Sequence, residues 1–578
     1  MTGTPNGGEA SRRSPRLGRE HIVLAALIAM VVIPVLGAGI RMAHAGWYPT
    51  FDDAVIANRG YDVLTRHTPL VGQFSLAGAT GPSTHSPGPM LFWYNALSAR
   101  GPAWGIPIFA SIVNAVCFGL VIWLARRRGG MGVAAVTALG CLALVRSLGP
   151  VTMVEIWNPW IGLVPLILLI YLVWSIIDGD RFLLPAAVFV GSFTLQGHLS
   201  VMFPSLFLLV LAVAWGWGPA LVRRRWADLA WKPLVASVVV GVVCWAIPVY
   251  QQLTGDPGNL TLLARSGGEP GGRGGMVAVR ATLWRTLGMP PTFAQGEPDP
   301  LHFASISFFP AGWPQTVQTL AVFALLIWLF VVAVRRRDHL VVTLMAVGGA
   351  LIAGMVATAY TIPLDRGLVA GYTFRWFTIA SFILWFGAGL AIVRLYLVPA
   401  WHSRPGATSS EPAAPDAADD EPESAVDRLP TAWVGGIVAG ALLLGLASVT
   451  LPWKDQFDFS YGPGRELGQA IVDATEPGGT YLVGRSGRWD LGFTPVLARE
   501  LRLHGRHPVA MGTRIEALGP FYAPTGKRCD GIVLIQEPGD VPTPGARRIT
   551  TIDVPDGGYL PKAMIVSMLP DDAPGGSC

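Results

Sequence analysis

Along most of this chain, apolar residues run on for about the 20 positions that a helix needs to cross a bilayer, and then break off at short polar connections. Runs at about 21–44, 103–125, 131–149, 160–177, 182–198, 200–220, 233–252, 314–334, 340–360, 374–397 and 431–451 are predicted as membrane spans. The stretch 182–220 is a single long apolar run, divided near His198. The first run, from Ile22 to about Gly39, is longer than the apolar core of a cleaved signal peptide and reads as a retained span. Two pieces of the first long connection, 45–102, carry helical patterns that do not span. They are Ala54–Thr65 and the aromatic stretch Met90–Ala99, which suits an interfacial helix. From about Trp453 the pattern shortens to that of a soluble α/β domain. Strands are predicted at Thr480–Val483, Gly531–Gln536 and Met564–Met568, and helices at Gly464–Ala474 and Thr494–His504.

Composition agrees with this pattern. Only 14% of the 578 residues are charged and 52% are hydrophobic, against about 25% charged in ordinary soluble domains. The formal charge of +5 does not imply a nucleic-acid partner, because the basic residues cluster at the ends of the apolar runs. Arg126–Arg128, Arg181, Arg223–Arg225, Arg335–Arg337 and Arg394 all fall on one side when the N-terminus is placed inside. The positive-inside rule therefore predicts a multi-pass plasma-membrane protein with a cytoplasmic N-terminus and an extracytoplasmic C-terminal domain. The domain plan is a basic N-terminus at 1–20, a membrane domain at 21–401, a linker at 402–430, a last span at 431–452 and the outer domain at 453–578. The linker is rich in Ala, Pro, Asp and Glu and lacks apolar periodicity, so it is predicted to be disordered and cytoplasmic. The glycines of 267–275, in the outer connection 253–313, have neither a preceding strand nor a following Lys-Ser/Thr, and read as a mobile loop. Cys529 and Cys578 lie in the outer domain, where a bridge and a free C-terminal thiol both remain open.

Polar residues at membrane depth are costly and tend to be functional. In this topology they collect on the outer side: Asp52 and Asp53, His85, Glu155 and Asn158, Gln196 and His198, Gln251 and Gln252, Asp365 and Arg366, and Arg375. Asp52–Asp53 follows the first span directly. One carboxylate can take a proton from an attacking hydroxyl while the other positions a cation or acceptor. The plainer reading is an N-cap for the helix beginning near Ala54.

With these features the chain resembles the GT-C superfamily of membrane glycosyltransferases, which use polyprenyl-phosphate-linked sugars. The likeness rests on the many spans, the large first outer loop with Asp52–Asp53, and short segments similar to those of a poorly characterised actinobacterial group. Those segments are Thr84–Pro89 with Leu91-Phe92-Trp93-Tyr94, Trp157-Asn158-Pro159, Gln196-Gly197-His198 and Phe374-Arg375-Trp376. It covers about residues 20–400. The resemblance implies that an acidic residue of the first outer loop, Asp52 or Asp53, is the general base of an inverting transfer. The donor would be a polyprenyl-phosphate sugar, and the acceptor a cell-envelope glycan, lipid or protein. The departing phosphate requires a fixed positive charge or a divalent cation, for which Arg375 and Arg366 are the side-chain candidates. His85, Glu155, Gln196 and His198 are candidate substrate-binding residues on the same side. The fold class expected is mainly α: a polytopic helical membrane protein with a small outer α/β domain. A transporter or flippase would instead gather polar groups near the midplane, often in repeated halves, and the sequence contains no internal repeat. A non-catalytic membrane protein with the same fold is the other alternative. Walker, His-Glu-x-x-His and Cys-x-x-Cys motifs are absent.

Overall fold

The computed structural model describes residues 18–75, 84–226, 229–266, 273–294, 312–362, 371–399, 430–450, 455, 458–484, 490–511, 513–526, 528–541, 543–554, 562–570 and 578. The predicted linker and Arg366 lie outside the described residues, as do most of the Gly267–Gly275 glycines.

The chain opens with α1 (Arg19–His44) and the first-loop helices α2 (Phe51–Asp62) and α3 (Met90–Asn95), between which β1 (Phe74–Ser75) pairs with β2 (Thr84–His85). The bundle continues with α4 (Gly105–Leu148), α5 (Asn158–Ile161), α6 (Leu163–Ile177), α7 (Leu184–Gly197), α8 (Met202–Val222) and α9 (Trp231–Thr254). Next come α10 (Asn259–Ser266), α11 (Gly275–Leu287), α12 (Trp313–Arg335), α13 (His339–Thr361), α14 (Trp376–Ile392) and α15 (Thr431–Thr450). Among the described residues, nine helices are long and apolar enough to cross a membrane. One of them, the 44-residue α4, contains two of the predicted spans. At Gly130 its backbone leaves the helix (φ 75°, ψ −169°), a conformation open to glycine. The run 182–198 corresponds to α7, whose 14 residues extend only about 21 Å, short of the ~30 Å hydrocarbon core. The connection 253–313, expected to be a loop, contains α10 and α11, and α11 buries Ala278, Val279 and Leu287. Its periodic apolar residues were hidden by the neighbouring glycines.

Helix α6 is apolar all round and every one of its residues is buried, as expected for the central helix of a bundle. The polar tips of its rings are satisfied laterally: Trp174 Nε1 donates to Thr343 Oγ1 (3.1 Å) and the Tyr171 hydroxyl meets Thr137 Oγ1 (3.0 Å). Around the rim, α9, α12 and α15 leave most of their surface exposed. Helix α15 still approaches α1 closely, since a Cβ on Gly445 would stand 2.8 Å from the Met30 carbonyl oxygen.

The two ends of the bundle differ. At one end Arg126 pairs with Glu20 (2.5 Å), Arg127 with Asp180 (2.9 Å), Arg128 with Asp178 (3.0 Å) and Arg394 with Asp338 (2.8 Å). Arg181 lies over the Trp217 ring near the same end of α8. The other end carries the first loop and the C-terminal domain. This domain comprises α16 (Asp458–Asp473), β3 (Thr480–Val483), α17 (Asp490–Leu503), β4 (His507–Val509), α18 (Thr513–Leu518), β5 (Gly531–Gln536), β6 (Arg547–Asp553) and β7 (Ala563–Leu569). Its sheet runs β4-β3-β5-β7-β6, with β3 parallel to β4 and β5, and β7 antiparallel to β5 and β6. The three strands expected from sequence are present; β4 and β6, short or exposed, were not anticipated. Cys529 and Cys578 form a disulfide.

The domain docks on α2. Buried Asp62 is held between Arg59 (2.9 Å) and Arg502 (2.7 Å), and the Arg502 guanidinium lies 3.9 Å from the Phe521 ring centroid and 4.6 Å from that of Tyr61. Asn58 donates to the Pro495 carbonyl (2.9 Å) and accepts from the Tyr522 hydroxyl (2.6 Å). Removing one partner of a buried pair leaves the other charge uncompensated, at a cost of about 3–5 kcal/mol. Asp62→Ala is therefore expected to lower the unfolding temperature and expose the C-terminal domain to limited proteolysis. A variant as protease-resistant as the native chain would show that this ion pair does not hold the domain down.

Candidate active site

Helix α2 begins on a strained residue. Phe51 has φ 49°, in the left-handed region, which costs a bulky side chain on the order of 1–3 kcal/mol. Its ring is fixed by Phe459 and Phe493 of the C-terminal domain, at centroid distances of 6.3 and 5.9 Å. A Cβ on Gly492 would stand 2.5 Å from the Phe51 ring, so only glycine permits that approach. The strained residue leads directly into Asp52 and Asp53.

The two aspartates have different surroundings. Asp52 is exposed and its Oδ2 accepts from Trp157 Nε1 at 2.7 Å, while Asp53 is buried. Desolvation by the surrounding protein raises the Asp52 carboxyl above the usual range, opposed by hydrogen bonds from Trp157 and Gln73. Burial pushes Asp53 much higher, helped by the charges of Asp52 and Asp455. Glu155, in the connection between α4 and α5, is 1% exposed. Burial and then the charges of Asp53 and Asp455 raise it well above the ordinary carboxylate range, with Arg375 pulling the other way. Among the described residues, Asp53 Oδ1 and both Glu155 oxygens are buried with no hydrogen-bond partner, as are the indole nitrogens of Trp47 and Trp160. An orphaned buried acceptor costs about 1–3 kcal/mol, and more if charged. Burial and the neighbouring charges thus favour the neutral acid form of Asp53 and Glu155.

Aromatic rings and a cation surround these acids. Trp157 meets Trp160 edge to face at 4.9 Å, and the Arg375 guanidinium lies 5.1 Å from the Trp160 centroid. Arg375 is buried and donates from Nη1 to the Leu148 carbonyl (2.5 Å). Tyr372 packs against Trp157 (4.8 Å) and against the His198 ring (6.0 Å). His198 Nδ1 accepts from the Ser200 backbone N–H (3.2 Å), which leaves the proton of a neutral ring on Nε2. The C-terminal domain contributes Tyr461, whose hydroxyl donates to Asp455 Oδ1 (3.3 Å) and whose ring meets Trp47 at 6.2 Å. Burial, then the charges of Asp455, Glu155 and Asp53, raise the Tyr461 hydroxyl well above the usual phenol range.

Of the residues picked from sequence, Asp52, Asp53, Glu155 and Arg375 stand together, with His198 one ring away. Two others have different surroundings. His85 receives a bond on its backbone carbonyl from Asn259 (3.1 Å), and its Nε2 lies 3.2 Å from the Glu516 carbonyl, tying the first loop to α10 and the C-terminal domain. Burial lowers its pKa. Gln196 is buried and joins α7 to the Cys244 carbonyl (2.8 Å) and the Met90 N–H (3.4 Å). Asp455, Tyr461 and the indole donors Trp157 and Trp160 were not singled out as functional from sequence. Asp455 and Tyr461 carried the same signal as Asp52–Asp53: polar groups just beyond a span on the same side. Among the described residues, no three His, Cys, Asp or Glu side chains are placed to hold a metal ion.

These features define a polytopic helical membrane protein with a carboxylate-rich site between its first loop and a docked α/β domain. No family model and no curated protein matches the chain. Among solved structures it is similar to ArnT from Cupriavidus metallidurans bound to undecaprenyl phosphate. That match has 13% identity and a TM-score of 0.47, over 95% of this chain and 97% of that one. It is also similar to the archaeal oligosaccharyltransferase AglB from Archaeoglobus fulgidus in complex with an inhibitory peptide and a dolichol-phosphate. Here the identity is 13% and the TM-score 0.31, over 90% of this chain and 69% of that one. At these scores neither likeness decides a function.

The protonated state has a consequence for stability. A carboxyl whose folded pKa lies above its unfolded value, about 4.3 for Glu, binds a proton on folding. Its contribution is complete below the unfolded pKa and is lost as pH rises through the folded one. The native chain should lose stability from about pH 5 upward. Glu155→Gln, permanently neutral, should show a shallower decline, with Asp53 supplying the rest. Unfolding temperatures in detergent across this range provide the test, and an equally steep variant would mean that Glu155 is ionised in the folded protein.

Proposed function

We propose that the chain is a membrane glycosyltransferase that moves a sugar from a polyprenyl-phosphate donor to a cell-envelope acceptor, with Asp52 as general base. The observation that carries this reading is the contrast within the adjacent pair. Asp52 is accessible and hydrogen-bonded by an indole N–H, whereas Asp53 is buried with an orphaned oxygen. A base must be reachable and favoured in its ionised form, and of the two Asp52 is the exposed one and the one whose charge hydrogen bonds from Trp157 and Gln73 support. In the proposed step Asp52 takes the proton from the acceptor hydroxyl, and that oxygen attacks the anomeric carbon. The bond from that carbon to the phosphate oxygen breaks, and polyprenyl phosphate leaves with the electron pair. Arg375 is the fixed charge available to the departing phosphate, and the neutral acids Asp53 and Glu155 are hydrogen-bond donors for sugar oxygens. The GT-C resemblance of the sequence supports the donor class. The positive-inside pattern supports placing this site on the extracytoplasmic face of the plasma membrane.

Loss of a general base typically costs ~10²–10⁴-fold in rate. Asp52→Asn, reconstituted with a panel of polyprenyl-phosphate sugars, is therefore expected to lose turnover by that factor while inserting and folding as the native chain does. Asp53→Asn should retain more activity, since Asn replaces an already neutral group. A folded Asp52→Asn that turns over at the native rate would remove the assignment and favour a transport or binding role.

A further inference from the structure

The arginine-bearing end of the bundle holds a recess of about 550 Å³. It is remote from the carboxylates. Helix α14 starts beside Arg375 at the carboxylate end, and Arg394 lies 19 residues further on, which is roughly 28 Å of helix. The recess is built by the kink of α4, the turn joining α12 to α13, and the end of α14, which bring together Arg128, Arg336, Arg337 and Arg394. Asp178 and Asp338 are the carboxylates in its wall, so four guanidiniums face two acids, an excess of two positive charges before His339 is counted.

Both acids are already engaged. Asp178 holds Arg128 and His339, each at 3.0 Å. Asp338 holds Arg394 (2.8 Å) and caps α13 by accepting from the Val341 N–H (3.2 Å). Arg336 has no acid partner among the described residues; it donates to the Leu395 carbonyl and lies 5.1 Å from the Tyr396 ring centroid. Arg337 sits at φ 56° on the turn, exposed, and has no carboxylate partner among the described residues. A bias towards basic residues on one side of the membrane explains arginines at this end. It does not explain four of them converging from three elements on one recess while two have no acid partner among the described residues.

We propose that this recess is a binding site for a phosphate group, with Arg336 and Arg337, the two without acid partners among the described residues, as its cations and Arg128 and Arg394 as its walls. A phosphate monoester carries about −1.5 to −2 charges at pH 7, which matches the excess, and the planar guanidinium fork suits its oxygens. The phosphate has two sources at this boundary, a dissolved ion or the headgroup of an anionic phospholipid.

The test uses the full-length chain and R336Q/R337Q, with R337Q alone carrying the comparison should the double variant fail to fold. In neutral detergent, the unfolding temperature is followed with inorganic phosphate against chloride at equal ionic strength. In parallel, lipid retention is measured by native mass spectrometry after extraction from nanodiscs of phosphatidylglycerol or phosphatidylcholine. A saturable phosphate-specific shift, with half-saturation weakened about tenfold or more in the variant, supports the site and a dissolved ligand. Selective retention of phosphatidylglycerol that the variant loses, with no shift from free phosphate, supports the site and a lipid headgroup. Equal behaviour in phosphate and chloride together with unselective lipid retention, or unchanged effects in a folded variant, would overturn the proposal.

Discussion

Burying several carboxyl groups beside a single guanidinium is the constraint around which this molecule is organised. Asp53 and Glu155 are enclosed at one end of a helical bundle, near Asp455 and next to a guanidinium that cannot neutralise all of them. Ionised carboxylates in that setting would each cost several kcal/mol, so the groups shift towards the acid form instead. That solution needs walls. Tyr461 of the C-terminal domain stands beside Glu155, with Trp47 from the first span's exit packed on its ring, and Trp157 of the α4–α5 connection bonds to Asp52. Removing the domain would rehydrate the site and return its acids towards ordinary titration. Docking and site chemistry are therefore one problem, and the buried Arg59–Asp62–Arg502 arrangement bears on both.

The bundle supplies rigidity where the site supplies strain. A helix apolar on every face can be stable only when enclosed, and α6 is enclosed by its neighbours along its whole length. The short α5 runs directly into it, so Trp160, and Trp157 at the N-cap of α5, are anchored to a fully buried helix. On the opposite wall Asp52 hangs on α2, whose entry passes through the left-handed Phe51. The bond between Trp157 and Asp52 thus ties a strained loop helix to the rigid core, and the rings of Phe459 and Phe493 hold the strain in place.

Span positions were legible because lipid demands long apolar runs and leaves little alternative. Legibility failed where that demand weakens. Helix α7 is too short to follow the rule, and α11 is a packed helix that abuts glycines. Within the site, sequence could identify the side on which polar groups gather, but it could not tell satisfied groups from orphaned ones. His85 and Gln196 resemble Glu155 in location along the chain, yet backbone groups bond to both of them, while no backbone group among the described residues bonds to the Glu155 carboxyl. Asp455 and Tyr461 were passed over because a reading confined to the loops of the membrane domain treats the region beyond the last span as a separate body. The Tyr461–Trp47 contact and the Thr50–Ser460 hydroxyl bond (2.7 Å) show that it is not one.

The adjacency of Asp52 and Asp53 then acquires a physical meaning that neither residue has alone. Successive positions on a helix point about 100° apart, so one residue of an adjacent pair at a helix start can face an opening while the other faces the interior. The helix dipole favours negative charge on both, but burial reverses that preference for the inner one. Coupling reinforces the split, since a charge on Asp52 makes a second charge on Asp53 more costly. Two chemically identical side chains thereby meet different electrostatic surroundings, and the inner one is pushed further towards its acid form. The expected N-cap role does not hold, because α2 begins at Phe51 with Thr50 as its N-cap, and the pair instead lies within the first turn, where its negative charge faces the helix dipole.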